Sequence, residues 1–225
     1  MGCDIHFCVE RRVDGVWQTA DRWTDDEGYI TNVDRFYEGR CYDLFAILAD
    51  VRNGYGFAGV TTGSGFVPIS APRGLPANVS SEVKTFAEGW DGDGHSHSWL
   101  TLKELLDFDW TRTTTKQGYV DLVSYARWYD RSSAPDNCYG GVDGPSVQKV
   151  PRDQMDALVR AWAEMDEQTQ SDFEKLHRWT YTLVTWETTY AEAAGGDWWM
   201  KTIPALLALS KGSYEDVRVV FFFDN

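Results

Sequence analysis

The sequence predicts an α+β fold in a single domain that covers residues 1–225. Three observations predict it: an alternating apolar and polar pattern at residues 3–10, a near-continuous apolar run at residues 217–225, and several helical patterns between them. Strand and helix patterns do not alternate as βαβα, and no repeat recurs at a fixed period. We therefore expect a mainly antiparallel or mixed sheet that contains the first and last strands, with several helices and long ordered loops.

The first elements follow from local patterns. Residues 3–10 place apolar side chains at every second position, and Asp14 with Gly15 forms a turn sequence before a second short strand, which predicts a β-hairpin. Residues 20–41 are acidic and aromatic without a clear period, so they are assigned to a loop with short elements. Residues 42–52 carry apolar side chains at helical spacing and predict a short buried helix.

Two later segments are less regular. Glycine and proline recur through residues 54–76 among aromatic side chains, which indicates an ordered functional loop rather than a plain linker. The glycines match neither the Walker pattern nor the dinucleotide fingerprint, so they name no nucleotide-binding fold. Residues 118–130 fit a strand and a helix equally well, and both assignments stay open.

The last third carries clearer signals. Pro151 opens an amphipathic helix, and Ser171 with Glu174 has the capping-box spacing that predicts a second, shorter helix. Residues 181–186 are β-branched and aromatic and predict a strand. A helix around residues 198–210, with Pro204 disturbing its early turns, then leads into the final apolar run. The continuity of that run predicts an inner strand of the sheet.

Composition limits the classes of function. A net charge of −14 argues against a protein that follows a long nucleic-acid backbone, so duplex DNA and RNA are not expected partners, although a small anionic ligand remains compatible. The four cysteines show no C-x-x-C spacing and are interpreted as free thiols. Without a leader pattern or a long apolar span, the chain is expected to be soluble, cytoplasmic and independent of membranes.

The most informative stretch is residues 89–105. Thr101 and Glu104 form a capping box that predicts a helix start, and the first amides of a helix attract anions. Imidazoles and hydroxyls come just before this start, at His95, Ser96, His97 and Ser98. The sequence therefore predicts a polar site for a phosphate or carboxylate.

Other candidates come from distant segments. Asp4 and His6 share one face of the first strand. Arg52 lies next to the glycine-rich loop and Arg73 within it, and several tryptophans, Trp90 among them, offer faces for a base. Ion pairing and core packing are the commoner roles of such residues. The predicted ligand-binding residues are Asp4, His6, Arg52, Arg73, His95, Ser96, His97, Ser98, Trp99 and Trp186. If the protein is an enzyme, the catalytic candidates are His6, His95 and His97.

A metal reading stays open at this point. The His-x-His spacing suits a metal ion, and Asp91, Asp93, His6 or Asp224 would complete the ligand set, but spacing alone fixes no distance. We therefore assign neither a metal nor a cofactor. No Gly-x-Ser-x-Gly elbow marks a serine nucleophile.

Five segments together resemble a known family. They are Met-Gly-Cys-Asp-Ile-His at 1–6, the helix at 42–52, Pro-Arg-Gly-Leu-Pro at 72–76, His-Ser-His-Ser-Trp-Leu-Thr at 95–101 and Val-Phe-Phe-Phe-Asp-Asn at the end. The chain resembles small, uncharacterised proteins of tailed bacteriophages that begin with the same hexapeptide. The resemblance implies a phage protein in a bacterial cytoplasm and, by analogy with accessory phage proteins, a role against host defence.

Three functional hypotheses follow. In the first, a pocket built from the first strand, the glycine-rich loop and residues 89–101 sequesters a nucleotide-derived immune signal, such as a cyclic oligonucleotide or an ADP-ribose derivative. In the second, the same pocket is a phosphodiesterase that uses histidines as general acid and base. In the third, the acidic surface binds and inhibits a host protein. Self-association is left open.

Overall fold

The computed structural model describes residues 2–27, 29–128 and 133–225. Helices make up 35% of the chain and strands 28%, and the strands form antiparallel or mixed sheets. The predicted α+β class is therefore confirmed.

The strands within these ranges are β1 (Asp4–Val13), β2 (Val16–Thr19), β3 (Trp23–Asp26), β4 (Tyr29–Asn32), β5 (His95–Thr101), β6 (Thr113–Asp121), β7 (Gln148–Lys149), β8 (Thr180–Thr189) and β9 (Val217–Asp224). The α-helices are α1 (Tyr42–Ala49), α2 (Ser81–Glu88), α3 (Leu102–Asp107), α4 (Leu122–Arg127), α5 (Arg152–Ala163), α6 (Glu167–His177), α7 (Tyr190–Ala194) and α8 (Ile203–Ser210). One π-helical turn covers Trp198–Thr202, and 3₁₀ turns cover Phe57–Gly59 and Tyr214–Asp216.

The chain forms two compact units. The first comprises Met1–Asn53, Phe66–Arg112 and Tyr190–Asn225, and the second comprises Gly54–Gly65 and Thr113–Thr189. The segment predicted as one ordered loop, residues 54–76, is thus divided between the units. That the whole chain behaves as a single domain stays a prediction.

The first unit is built on a four-stranded antiparallel sheet in the order β2-β1-β9-β5. Asp14 and Gly15 have φ values of 50° and 82°, the left-handed pair that a two-residue hairpin turn requires, so the predicted hairpin is confirmed. β9 lies between β1 and β5, which confirms its predicted inner position. Its side chains are buried on both faces of the sheet, which explains why the run is almost entirely apolar.

The two faces of this sheet differ in character because alternate residues point to opposite sides. On one face, Phe7 and Val9 of β1 and Phe221 of β9 belong to the main core, where α1 buries its side chains from Leu44 to Ala49. This face is apolar and closed.

The opposite face carries polar groups among aromatic rings. His6 of β1 pairs in register with Phe222 of β9, and Glu10 pairs in register with Arg218. Val83 of α2 packs here in a small apolar cluster with Cys8 and Val220. The functional candidates of the first unit lie around this face.

The second unit contains the mixed sheet β6-β8-β7, in which β8 is antiparallel to β6 and parallel to β7. β8 confirms the strand predicted at 181–186. The ambiguous segment 118–130 is a strand up to Asp121 and a helix from Leu122, while positions 129 and 130 lie outside the described residues. Gly63 has a φ of 142°, and a Cβ there would lie 2.2 Å from the Thr115 carbonyl oxygen, so a close backbone approach requires this glycine.

One local prediction needs correction, and the structure makes two others more precise. The capping box at Ser171 was wrong, because α6 begins earlier, at Asp166, whose carboxylate accepts the Thr169 N–H at 2.9 Å. The region 20–41 contains the short hairpin of β3 and β4, whose few side chains show no readable period. The helix predicted at 198–210 is interrupted, because Pro204 lies in the first turn of α8 and a π-helical turn precedes it.

Candidate functional site

Several predicted residues meet at one end of the main sheet, around Asp224 and Asn225. The Asp4 N–H donates to Asp224 Oδ1 at 3.0 Å, and His6 Nε2 lies 3.4 Å from Asp224 Oδ2. Arg52 Nη2 donates to Asn225 Oδ1 at 3.0 Å, and Asn225 Nδ2 lies 3.1 Å from His95 Nε2. The antiparallel pairing of β9 with both β1 and β5 creates this meeting point.

The hydrogen bonds around His95 determine its tautomer. Because Arg52 donates to the amide oxygen of Asn225, the amide nitrogen faces His95 and donates to Nε2. The ring proton of neutral His95 is then on Nδ1, which donates to Ser96 Oγ at 3.0 Å. His95 therefore does not act as a base toward the Ser96 hydroxyl. Ser96 itself has a φ of 51° in the β-bulge of β5, so the bulge directs its side chain back to the imidazole.

His6 and His97 do not converge on one point. Their rings stack on Phe222 with centroid distances of 4.6 and 4.9 Å and interplanar angles of 18° and 17°. β9 runs between β1 and β5, so the phenyl ring lies between the two imidazoles. A third ring, Trp90, lies 4.0 Å from the His6 ring. Phe222 therefore separates His6 from His97, which is one of the two acid and base pairs proposed from the sequence, and the pair of His6 with His95 stays a prediction.

Both imidazoles favour the neutral state. Burial lowers the pKa of His6, which Asp224 opposes, and the nearby Arg35 cation adds to the lowering. Burial and the charge of His95 likewise lower the pKa of His97. Nδ1 of the buried His6 has no hydrogen-bond partner among the described residues, whereas Nε2 lies 3.4 Å from the Asp224 carboxylate. These residues offer hydrogen bonds to a ligand rather than positive charge.

The helix start is real, but it is not an anion site. Thr101 caps α3 and forms the complete capping box, which confirms the predicted boundary. Glu104 Oε2 accepts the Thr101 N–H at 2.8 Å, and Thr101 Oγ1 accepts the Glu104 N–H at 3.2 Å, so these amides are occupied. The imidazoles lie on β5 instead of beside the helix. At about 3.3 Å per strand residue, His95 is more than one helical turn away.

Arg73, Ser98 and Trp99 belong to a different part of the same face. Arg73 Nη2 donates to Glu104 Oε1 at 2.6 Å, and its guanidinium carbon lies 5.0 Å from the Trp99 ring centroid. The hydroxyl oxygen of buried Ser98 accepts the Arg73 N–H at 3.2 Å. The Glu104 carboxylate thus accepts the guanidinium hydrogen bonds of Arg73 that were predicted to bind phosphate.

Arg73 is the end of a longer column, the Arg–Trp stack, in which guanidinium and indole groups alternate. The carbon-to-centroid distances are 5.6 Å for Arg12 over Trp17, 4.0 Å for Arg218 over Trp17 and 5.7 Å for Arg218 over Trp99. The stack lines an open cavity of about 750 Å³. Each arginine in it has a carboxylate partner: Arg12 with Asp216, Arg218 with Glu10 and Arg73 with Glu104.

The remaining predicted residue is in the second unit. Trp186 is only 8% exposed and packs in the core with Val120, Tyr125 and Val184. Its indole fills a hydrophobic interior, which is the commoner fate of a strand tryptophan.

The sequence-based prediction missed a cavity of about 510 Å³ next to His6, here called the Trp90 cavity. Its walls include Thr31, Arg35, Thr85, Phe86, Trp90 and Asp93. Phe86 and Trp90 are brought there by α2 and the turn that follows it, and both rings are within 6 Å of the His6 ring. The site faces solvent on one side of the aromatic cluster.

Arg35 is the distinctive group of this cavity. Among the described residues, no carboxylate lies within ion-pairing distance of its guanidinium, unlike the arginines of the Arg–Trp stack. Trp90 was considered as a stacking residue from the sequence, but Arg35 lies in the aperiodic stretch 20–41 and carried no signal there.

No set of three or more His, Cys, Asp or Glu side chains is arranged to hold a metal ion in residues 2–27, 29–128 and 133–225. His95 and His97, the His-x-His pair, therefore gain no further ligand there. Within the same ranges, none of the helices has the length and apolar character to cross a bilayer.

Comparisons with known proteins found no matching family, no similar curated protein and no similar solved structure.

Proposed function

We propose that this chain binds a small nucleotide-derived anion in the Trp90 cavity and withholds it as a signal. The observation that carries the proposal is that one cavity combines Arg35, an arginine with no carboxylate within ion-pairing distance among the described residues, with two aromatic walls, Phe86 and Trp90. Guanidinium binds phosphate through paired hydrogen bonds, and aromatic faces stack on bases.

Charge distribution supports the choice of Arg35. The chain has a net charge of −14, and arginines such as Arg73, Arg40 and Arg218 are bound to carboxylates. A ligand phosphate would have to displace a carboxylate at those positions, whereas Arg35 has no carboxylate partner to displace among the described residues. The cavity volume of about 510 Å³ is in the range that holds a nucleotide-sized ligand.

His6 has a positioning role in this proposal. Its buried ring contacts Trp90 and Phe222, so it fixes the orientation of the indole that forms one wall. Because Phe222 separates His6 from His97 and His95 is committed to Asn225 and Ser96, the geometry favours binding over hydrolysis. The phage setting and the role against host defence rest on the resemblance of the sequence and complete the proposal: the withheld ligand is an immune signal.

The test is calorimetric titration of the purified protein with AMP, ADP-ribose and a cyclic dinucleotide. At least one should bind, and Arg35→Ala should weaken it by about 10- to 100-fold, as expected for a charge-assisted contact. Arg160→Ala, at an exposed arginine of α5, is the matched control and should leave the affinity unchanged.

Two results would overturn the proposal: no heat with any of the three ligands, or full affinity in Arg35→Ala. Chromatography of the recovered ligand separates binding from cleavage. Intact ligand is expected after incubation and denaturation, and products would indicate a phosphodiesterase instead.

A further inference from the structure

A second cavity adjoins the Trp90 cavity through a shared residue. This Tyr37 cavity, of about 540 Å³, is lined in part by Arg22, Asp34, Arg35, Tyr37, Glu38 and Asp197. Arg35 is the residue that lines both cavities. Arg35 is therefore a cationic residue common to the two spaces.

We infer that the ligand is a dinucleoside phosphate, with one nucleoside in each cavity and the phosphodiester at Arg35. The inference rests on the proposed function and adds the class of ligand. A mononucleotide would occupy one cavity and leave the other to water, while a ligand with two nucleosides joined by a phosphate matches two spaces joined at a cation.

The two cavities suit different halves of such a ligand. The Trp90 cavity offers aromatic walls for stacking of a base. In the Tyr37 cavity, Asp197 is bound to Lys201 at 2.9 Å, whereas Asp34 and Glu38 are exposed carboxylates with no ion-pair partner among the described residues. Carboxylates accept hydrogen bonds from ribose hydroxyls and base amino groups, so this cavity favours the polar edge of a nucleoside.

A substitution that fills only one of the two cavities would test the inference. Ala205 of α8 is half-buried and lines the Tyr37 cavity, but it does not line the Trp90 cavity. A larger side chain there, in Ala205→Phe, would occupy the Tyr37 space and leave Phe86, Trp90 and Arg35 in place.

The experiment compares adenylyl-adenosine, a linear dinucleoside phosphate, with AMP and with ADP-ribose by calorimetry. The dinucleoside phosphate should bind at least tenfold more tightly than either. Ala205→Phe should reduce its affinity to about that of AMP without changing AMP binding, and Arg35→Ala should weaken both.

Each alternative result is distinguishable. Equal affinity for AMP and the dinucleoside phosphate, or an Ala205→Phe variant with full affinity, would overturn the two-cavity inference and leave the proposed function standing. Tighter binding of ADP-ribose would also overturn it. Failure of all three ligands, together with failure of the cyclic dinucleotide, would overturn the proposed function itself. If circular dichroism shows that Ala205→Phe does not fold, the variant Asp34→Ala, at an exposed residue, replaces it. Asp34→Ala should lower the affinity for the dinucleoside phosphate at least threefold and leave the affinity for AMP unchanged. An unchanged affinity for the dinucleoside phosphate would contradict the inference.

Discussion

The Arg–Trp stack and the Trp90 cavity contain the same kinds of side chain on the same unit, yet they are chemically opposite. In the stack, two guanidiniums lie within 6 Å of the Trp17 ring and two within 6 Å of the Trp99 ring, and each arginine is bound to a carboxylate. In the cavity, Arg35 has no such partner among the described residues. The difference teaches that an arginine near a tryptophan predicts a binding site only when its hydrogen bonds are not already satisfied.

The largest expected effect concerns stability of the stack. Glu10 and Arg218 form an ion pair at 2.6 Å with side chains that are 0% and 3% exposed, and Glu10 also accepts the Ser80 N–H at 2.6 Å. Glu10→Ala leaves a buried guanidinium without its carboxylate and should lower the free energy of unfolding by about 3–5 kcal/mol. Urea denaturation measures this.

The exposed pair of the same stack provides the control. Asp216→Ala removes the partner of the half-exposed Arg12 and should cost less than about 1 kcal/mol. Similar losses in the two variants would show that the stack is not a buried structural unit.

The second effect separates the two regions by ligand binding. Arg35→Ala should lower affinity for the ligand by about 2 kcal/mol and leave the unfolding midpoint unchanged, because its guanidinium has no ion pair to lose among the described residues. Arg73→Ala should do the reverse, since it loses Glu104 and Trp99 but lines neither of the two proposed ligand cavities. Calorimetry and thermal melts of both variants give the four values, and an Arg73→Ala protein that loses ligand would return the site to the position predicted from the sequence.

A third, smaller effect is the pH dependence of stability that comes from His6. Burial lowers the pKa of His6 in the folded state, so the unfolded chain binds a proton first and the free energy of unfolding falls as the pH drops below about 6.5. His6→Phe keeps an aromatic ring beside Phe222 and removes this dependence. Between pH 7 and pH 5, wild type should lose more stability than the variant, as urea denaturation at the two pH values measures.

Asp21 changes the stability with pH in the direction opposite to His6. The contribution of His6 is therefore measured as the difference in unfolding free energy between wild type and His6→Phe. Burial raises its pKa to about 6, although the Val9 N–H donates to it, so its stabilising effect is present below about pH 4 and is lost as the pH rises through 6. Both proteins share this contribution, and it cancels. Parallel pH profiles for wild type and His6→Phe would contradict the assignment to His6.

The smallest effect tests the helix start. Thr101→Ala removes one half of the capping box and should cost about 0.5–1 kcal/mol in thermal or urea unfolding. Ligand affinity should not change, because Thr101 lines neither the Trp90 nor the Tyr37 cavity. A change in affinity would indicate that the amides of α3 contribute to anion binding after all.

Local signals predicted much of the fold because they act over a few residues. The turn at Asp14 and Gly15, the capping box at Thr101 and the apolar run of β9 each depend on nearby side chains, and all three are confirmed. Ser171 shows the limit of this approach. Its spacing also suits a cap, but Asp166 provides an earlier one and the helix continues through Ser171.

The candidate site was predictable only in part. Asp4, His6, Arg52 and His95 meet at one end of the sheet, but the groups that bring them together, Asp224 and Asn225, lie more than a hundred residues from His95 and from the first strand. Trp186 lies in the second unit. Sequence periodicity did not identify Arg35 as a binding residue. Arg35 is a candidate because it has no carboxylate partner among the described residues and because other segments of the chain form the cavities that it lines.

By itself the sequence determined the fold class, the hairpin, the inner strand and the start of α3, because backbone preferences and side-chain periodicity act locally. The tertiary structure alone decided which arginines were neutralised, as the pairing of Glu10 with Arg218 across a separation of 208 residues shows. It also decided that Phe222 would separate two imidazoles and that Arg35 would line two cavities. Hydrogen-bond saturation depends on which strands and loops become neighbours, and strand order is set by the packing of the whole unit.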